Sequence, residues 1–139
     1  MSTTIFEVKE HVAHIKLNRP ESMNALNPEL RYALSQHLDE VENNKDIWLA
    51  VISGEGDKAF CAGMDLDPNL ENVFGLDESM QPTLNDMKNN IDDPKIHNGV
   101  RDAGGKVVLS IFECKKPVIA AINGAAVGIG ATMTCAMDI

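Results

Sequence analysis

The sequence predicts an α/β fold, for which a spiral of strand–strand–helix units would account, and three observations point to it. Short apolar runs alternate with helically spaced ones along the 139 residues. Their order repeats: strand, strand, helix; strand, short strand, long polar excursion, helix; strand, glycine turn, helix. The length fits one domain able to bury a core without staples. A doubly wound sheet is the rival architecture.

Residues 5–9 and 12–17 flank Glu10 and His11 and read as a β-hairpin. The loop NRPESMNALN follows. Asn27 can cap a helix, and Pro28 suits its first position because it has no N–H to leave unpaired. Leu30, Ala33, Leu34, Leu38 and Val41 then recur at helical spacing, which predicts a helix over 28–43. IWLAVIS at 47–53 is a continuous apolar run, read as a strand buried on both faces. GEGD at 54–57 is a turn, residues 59–62 form a second short strand, and Gly63 permits a sharp change of direction.

Residues 67–99 are rich in Asp, Asn, Glu and Pro and read as a long surface excursion with one short helix near 80–90. Val107, Val108, Ile111 and Phe112 mark a further helix, weakened at its start by Gly104 and Gly105. Lys115 and Lys116 favour its C-terminal end and Pro117 stops it. KKPVIAAINGAAVGIGATM at 115–133 then reads as a buried strand, a glycine turn and a helix start.

Composition narrows the function. Hydrophobic content of 44% and charged content of 24% fit a soluble globular class. With 4% aromatics, the core rests on Ile, Val, Leu, Ala and Met. A net charge of −9 gives no bulk help to a nucleic-acid or anionic-membrane partner, and any anionic ligand needs local Lys, Arg or N–H groups. Cys61, Cys114 and Cys135 form no CxxC pair, which predicts reduced thiols and a cytoplasmic setting. The start lacks the basic and apolar runs of a signal peptide. Residues 117–137 are apolar, but Asn123, Gly124, Gly128 and Gly130 interrupt them and argue against a membrane span.

Familiar catalytic signatures are missing. GIGATM at 128–133 fails the G-x-G-x-x-G pattern at Met133, and there is no G-x-S-x-G, HExxH or phosphate loop. His11, His14, His37 and His97 show no ligand spacing, so no metal site is expected. Two glycine turns are left, at FCAGMDL (60–66) and at 128–130. Each is also a common way to pack a strand against a helix. Together they could aim two backbone N–H groups at one oxygen.

LNRPESMNAL at 17–26, AFCAGMDL at 59–66 and KKPVIAAINGAAVGIGA at 115–131 resemble, in order, the three signatures of the crotonase, or enoyl-CoA hydratase/isomerase, superfamily. The resemblance covers nearly the whole chain outside the 67–99 excursion. It implies a crotonase-like spiral, trimers or hexamers, and an acyl-CoA thioester substrate. No separate cofactor is implied, because coenzyme A is part of the substrate. By resemblance, Glu21, Ser22 and Met23 lie near the CoA moiety, and Ala62, Met64, Asp65 and Leu66 hold its adenine end and pantetheine. The backbone amides of Met64 and Ile129 fall at the oxyanion positions, and Gly128 lines the thioester. Two departures stand out. Ile129 takes a place often held by Gly. Thr132 takes the place of the first glutamate of a two-glutamate hydratase, and a hydroxyl cannot shuttle a proton near pH 7 as a carboxyl can. The resemblance then places the acid beyond Ile139, with the chain as the N-terminal half of a family domain. Asp67, Glu71, Asp77 and Glu78 are candidate substitutes, and the excursion is expected to form a flap beside the acyl chain. A non-catalytic CoA-binding or assembly module, or an inactive truncated fragment, is the competing expectation.

Overall fold

The structure, a computed structural model, describes residues 2–67, 69–70, 83–94, 96 and 102–139. Strands β1 (Thr4–Lys9) and β2 (Val12–Leu17) form the expected hairpin, antiparallel with Lys9 opposite Val12. Its two-residue turn places Glu10 at φ 48° and His11 at φ 70°. That is the left-handed pair that matches strand twist. His11 is held there from outside: its ring stacks on Trp48, with centroids 4.1 Å apart, and its Nδ1–H donates to the Asp46 carbonyl (2.8 Å).

Helix α1 (Pro28–Asn43) has the predicted bounds. Asn27 caps it by accepting from the Leu30 N–H at 2.8 Å. Leu30, Leu34, Leu38 and Val41 are buried. Strands β3 (Leu49–Gly54) and β4 (Ala59–Cys61) follow, then α2 (Leu84–Asn89) and α3 (Ala103–Glu113). The third unit contains β5 (Val118–Ala121), β6 (Ala125–Ala126) and α4 (Ile129–Thr132), which tightens into a 3-10 turn over Met133–Ala136.

The strands divide between two sheets. One has the order β1-β2-β3-β5, with β2, β3 and β5 parallel; the other pairs β4 with β6, also parallel. The second and third units therefore each send their first strand to the large sheet and their second to the small one. A doubly wound sheet would keep all of them in one layer, so the spiral is the architecture found. Leu30, Leu34, Val107 and Ile111 of the helices meet Ala13, Ile15, Ala50 and Ile52 of the sheet in one core, with Phe60 and Met133.

Four sequence expectations need correction. β3 is buried on one face only: Ala50 and Ile52 are inside, whereas Leu49 and Val51 are half-buried. The α1–α3 layer covers one side of the sheet, and a run without polar breaks cannot show that. β5 is likewise buried only at Val118, and Ala121 is exposed. Lys116 does not serve the end of α3. Its ammonium donates to the Val41 and Asn44 carbonyls (2.6 Å each) and so caps α1. Finally, the helix start expected within 115–133 is a single α-helical turn, α4, that goes over at once into a 3-10 turn.

Among the described residues, no helix is long and apolar enough to cross a membrane.

Candidate functional site

The site is built from three loops that meet at β4. The first is residues 18–26. Pro20–Ser22 form a 3-10 turn, and Met23 and Asn24 then take left-handed backbones (φ 50° and 56°). Asn24 is fully buried and fastens the loop. Its amide donates to the Glu55 and Ala59 carbonyls (3.0 and 2.8 Å), and its Oδ1 accepts from the Arg19 N–H (3.0 Å).

The second loop is 62–67. Gly63 sits at φ 113°, a conformation strained for any other residue. A Cβ built there would lie 3.2 Å from the Val127 carbonyl oxygen, so the third loop passes directly over it. In that third loop Gly128 is at φ 55°, and its own built Cβ would touch the Gly63 Cα at 3.8 Å. The two positive-φ glycines thus pack on each other, and the residues that follow them are Met64 and Ile129. Neither residue's backbone N–H has an acceptor among the described residues. Gly130 is buried with its Cα against the Cys61 carbonyl; a Cβ there would collide with that oxygen. This close approach seats α4 on β4.

The peptides before and after Met64 are both bonded to Leu26. Leu26 N–H donates to the Gly63 carbonyl (2.8 Å), and Asp65 N–H donates to the Leu26 carbonyl (3.0 Å). The Asp65 carboxylate accepts from Arg19 Nη1 at 2.7 Å, with both side chains about 15% exposed or less. Arg19 Nη1 also donates to the Ala25 carbonyl (2.7 Å), and Nη2 donates to Ser22 Oγ (3.4 Å).

The predicted residues separate into groups. Met64, Gly128 and Ile129 come together at the glycine contact. Ala62 ties the loops by donating its N–H to the Met23 carbonyl (3.0 Å). Ser22 and Asp65 are both engaged by Arg19. Leu66 is 72% exposed. Glu21 and Met23 line a separate cavity of about 270 Å³ with Glu55, Asp57 and Lys58. Thr132 is exposed, and its hydroxyl donates to the Ile129 carbonyl (3.4 Å).

Asp67 is the one candidate substitute acid that is described. The backbone N–H and the amide of Asn69, with a smaller contribution from Arg19, hold its carboxyl below the usual range. A general acid near neutrality needs the opposite shift. Glu71, Asp77 and Glu78, and with them most of the expected flap, lie outside the described residues. Among the described residues no group of three or more His, Cys, Asp or Glu side chains could hold a metal ion.

Sequence reasoning missed Asn24, Asn123 and Arg19. Asn123 accepts from the Gly54 N–H (2.9 Å) and donates to the Gly56 carbonyl (2.7 Å), fixing the β3–β4 turn to the β5–β6 turn. Asn123 was marked only as a polar residue inside an apolar, glycine-bearing stretch, and nothing set Arg19 or Asn24 apart from the other polar residues of 17–26.

Comparison with known proteins gives the same direction throughout. Residues 7–139 match the enoyl-CoA hydratase/isomerase family. The chain is 37% identical over 133 residues to an (E)-benzylidenesuccinyl-CoA hydratase of Thauera aromatica, spanning 96% of this chain and 44% of that protein. It is 36% identical over 128 residues to an enoyl-CoA hydratase of Alternaria alternata, spanning 92% and 36%. Among solved structures, an enoyl-CoA hydratase/isomerase of Xanthobacter autotrophicus superposes with a TM-score of 0.72 at 25% identity, covering 99% of this chain and 45% of that one. An enoyl-CoA hydratase of Bacillus anthracis superposes at 0.71 and 25%, covering 99% and 46%. The chain therefore spans less than half the length of these relatives.

Proposed function

Because the chain belongs to the enoyl-CoA hydratase/isomerase family, we propose that residues 1–139 are the N-terminal part of a crotonase-like domain that processes acyl-CoA thioesters. The thioester oxygen sits between the Met64 and Ile129 amides. Those donors hold the negative charge that forms there as a proton leaves the α-carbon. In water-poor surroundings, losing one such donor raises the barrier by about 3 kcal/mol. The observation that carries this reading is the contact between Gly63 and Gly128, each followed by an amide with no acceptor among the described residues. Ile129 meets the departure noted in the sequence: a backbone donor survives any side chain except proline.

Thr132 offers no carboxyl, so the proton is carried by another group, which the family resemblance places beyond Ile139. The choice between water addition and double-bond shift rests with that group. The substrate is a 2- or 3-enoyl-CoA, the assembly is a trimer or hexamer, and the three unpaired thiols fit a cytoplasmic setting. Titration calorimetry with crotonyl-CoA tests the reading: binding is expected, and no heat at about millimolar ligand removes it.

A second reading, a CoA-binding module without turnover, is favoured by Thr132 alone. Hydration of crotonyl-CoA or isomerisation of a 3-enoyl-CoA above a buffer control would eliminate it. A gain of hydration in Thr132→Glu would show that this position faces the reacting carbon.

A further inference from the structure

We infer that the Arg19–Asp65 ion pair is a positioning device that sets the direction of the Met64 N–H, so that Asp65 is not a ligand for the CoA moiety. The inference rests on the acyl-CoA reading above and deepens it. Asp65 directly follows Met64, so the peptide that ends at the Asp65 N–H is next to the one that ends at the Met64 N–H. One side of this segment is fixed by the two hydrogen bonds with Leu26. Both of those bonds act through one residue, Leu26, and through backbone atoms alone. The ion pair adds a side-chain restraint to them, because Arg19 is anchored independently of Asp65. Its guanidinium bonds the Ala25 carbonyl, and its backbone N–H is held by the buried Asn24.

The chemistry suits a restraint. A guanidinium presents its donors in a fixed planar fork, so it transmits direction as well as attraction. Both side chains are only about 15% exposed, so the pair is not the solvated surface type that contributes little. The same burial leaves the Asp65 carboxylate turned toward Arg19, and a carboxylate would repel the phosphates of CoA. Arg19 reaches Ser22 Oγ as well, so one side chain joins the first loop to the amide-bearing loop.

The experiment uses cinnamoyl-CoA, a thioester whose absorption moves to the red when its carbonyl is polarised. The protein saturated with it is expected to show that shift. Asp65→Asn keeps the size and is expected to bind within about threefold of the unaltered protein, yet to lose more than about half of the red shift, because the donor no longer points at the oxygen. Arg19→Lys, which keeps the charge but loses the planar fork and its bonds to the Ala25 carbonyl and Ser22, is expected to lose most of it as well. A full red shift in Asp65→Asn overturns the inference, whether or not affinity changes. If affinity alone falls, Asp65 is a ligand contact. If the unaltered protein neither binds nor shifts cinnamoyl-CoA, the acyl-CoA reading fails, and amide exchange then decides the positioning claim. Exchange at Leu26 and Asp65 is expected to be about tenfold faster in Asp65→Asn, with Leu34 and Ile52 unchanged; equal rates at all four would overturn it.

Discussion

Replacing Asn24 by alanine tests the site's framework, because one side chain closes three hydrogen bonds across two loops. The Ala59 carbonyl loses its Asn24 partner in a fully buried position, which costs about 2 kcal/mol. The Glu55 carbonyl and the Arg19 N–H are half-buried and can recover water, which adds about 1 kcal/mol together. Alanine is also forced into the left-handed region that Asn24 tolerates at φ 56°, adding about 1 kcal/mol. The sum is about 4 kcal/mol, a large part of the stability of a domain this size. Urea unfolding followed by far-ultraviolet circular dichroism measures it directly. Asn24→Asp separates the donors from the backbone strain, since aspartate also accepts this φ. Its carboxylate would face two carbonyl oxygens in a buried place, which raises its folded-state pKa above the unfolded value. Its stability should then be greatest below the unfolded carboxyl pKa and fall as pH rises through the folded one. A loss under about 1 kcal/mol for alanine, or an aspartate variant insensitive to pH, would refute the argument.

Lys116→Met removes the cap on the Val41 and Asn44 carbonyls and should cost about 1–2 kcal/mol, read as a fall of about 3–8 °C in Tm. No measurable change would mean that water caps α1 equally well. The three thiols should react with a disulfide reagent in the order Cys135, Cys114, Cys61, because they are exposed, half-buried and buried. Burial also pushes the Cys61 and Cys114 thiols up. Folded-state values above the unfolded ones mean that stability is intact below the unfolded thiol pKa of about 8.5 and falls as pH rises past it. The alkaline decline should shrink in Cys61→Ala, and an unchanged slope would assign it to other groups.

The parts of the fold legible in the sequence are those set by neighbours in the chain. Asn27 and Pro28 mark the start of α1, and four apolar residues at helical spacing mark its buried side. Gly63 announces its turn because few other residues take φ 113°. What was hidden depends on partners far along the chain. Lys116 lies beside the end of α3, yet its bonds run to residues 72 and 75 positions away. Asn24 and Asn123 read as loop residues until the carbonyls they bridge are known. β6 consists of Ala125 and Ala126, too short for any periodicity, and exists because β4 gives it a pairing partner. Resemblance pairs the amides of Met64 and Ile129, and the packing of Gly63 on Gly128 is visible only in the structure. Spacing alone does not place residue 63 against residue 128.

The frame beneath the two amides is shared, and this makes their behaviour separable. β4 is common to both. Ala62 donates to the Met23 carbonyl on the first-loop side, while the Cys61 carbonyl accepts from the Val127 N–H (3.0 Å) and supports Gly130 on the other. A displacement of β4 therefore carries Met64 and Ile129 together and preserves their spacing. The Arg19–Asp65 pair acts on the Met64 side alone, because no bond runs from it to the Gly128 turn among the described residues. If the proposed function holds, a site that grips one oxygen with two donors depends on the difference between their positions more than on either position alone. The ion pair can thus change the grip at little cost to the fold, whereas β4 can scarcely be altered without unseating β6 and α4 as well.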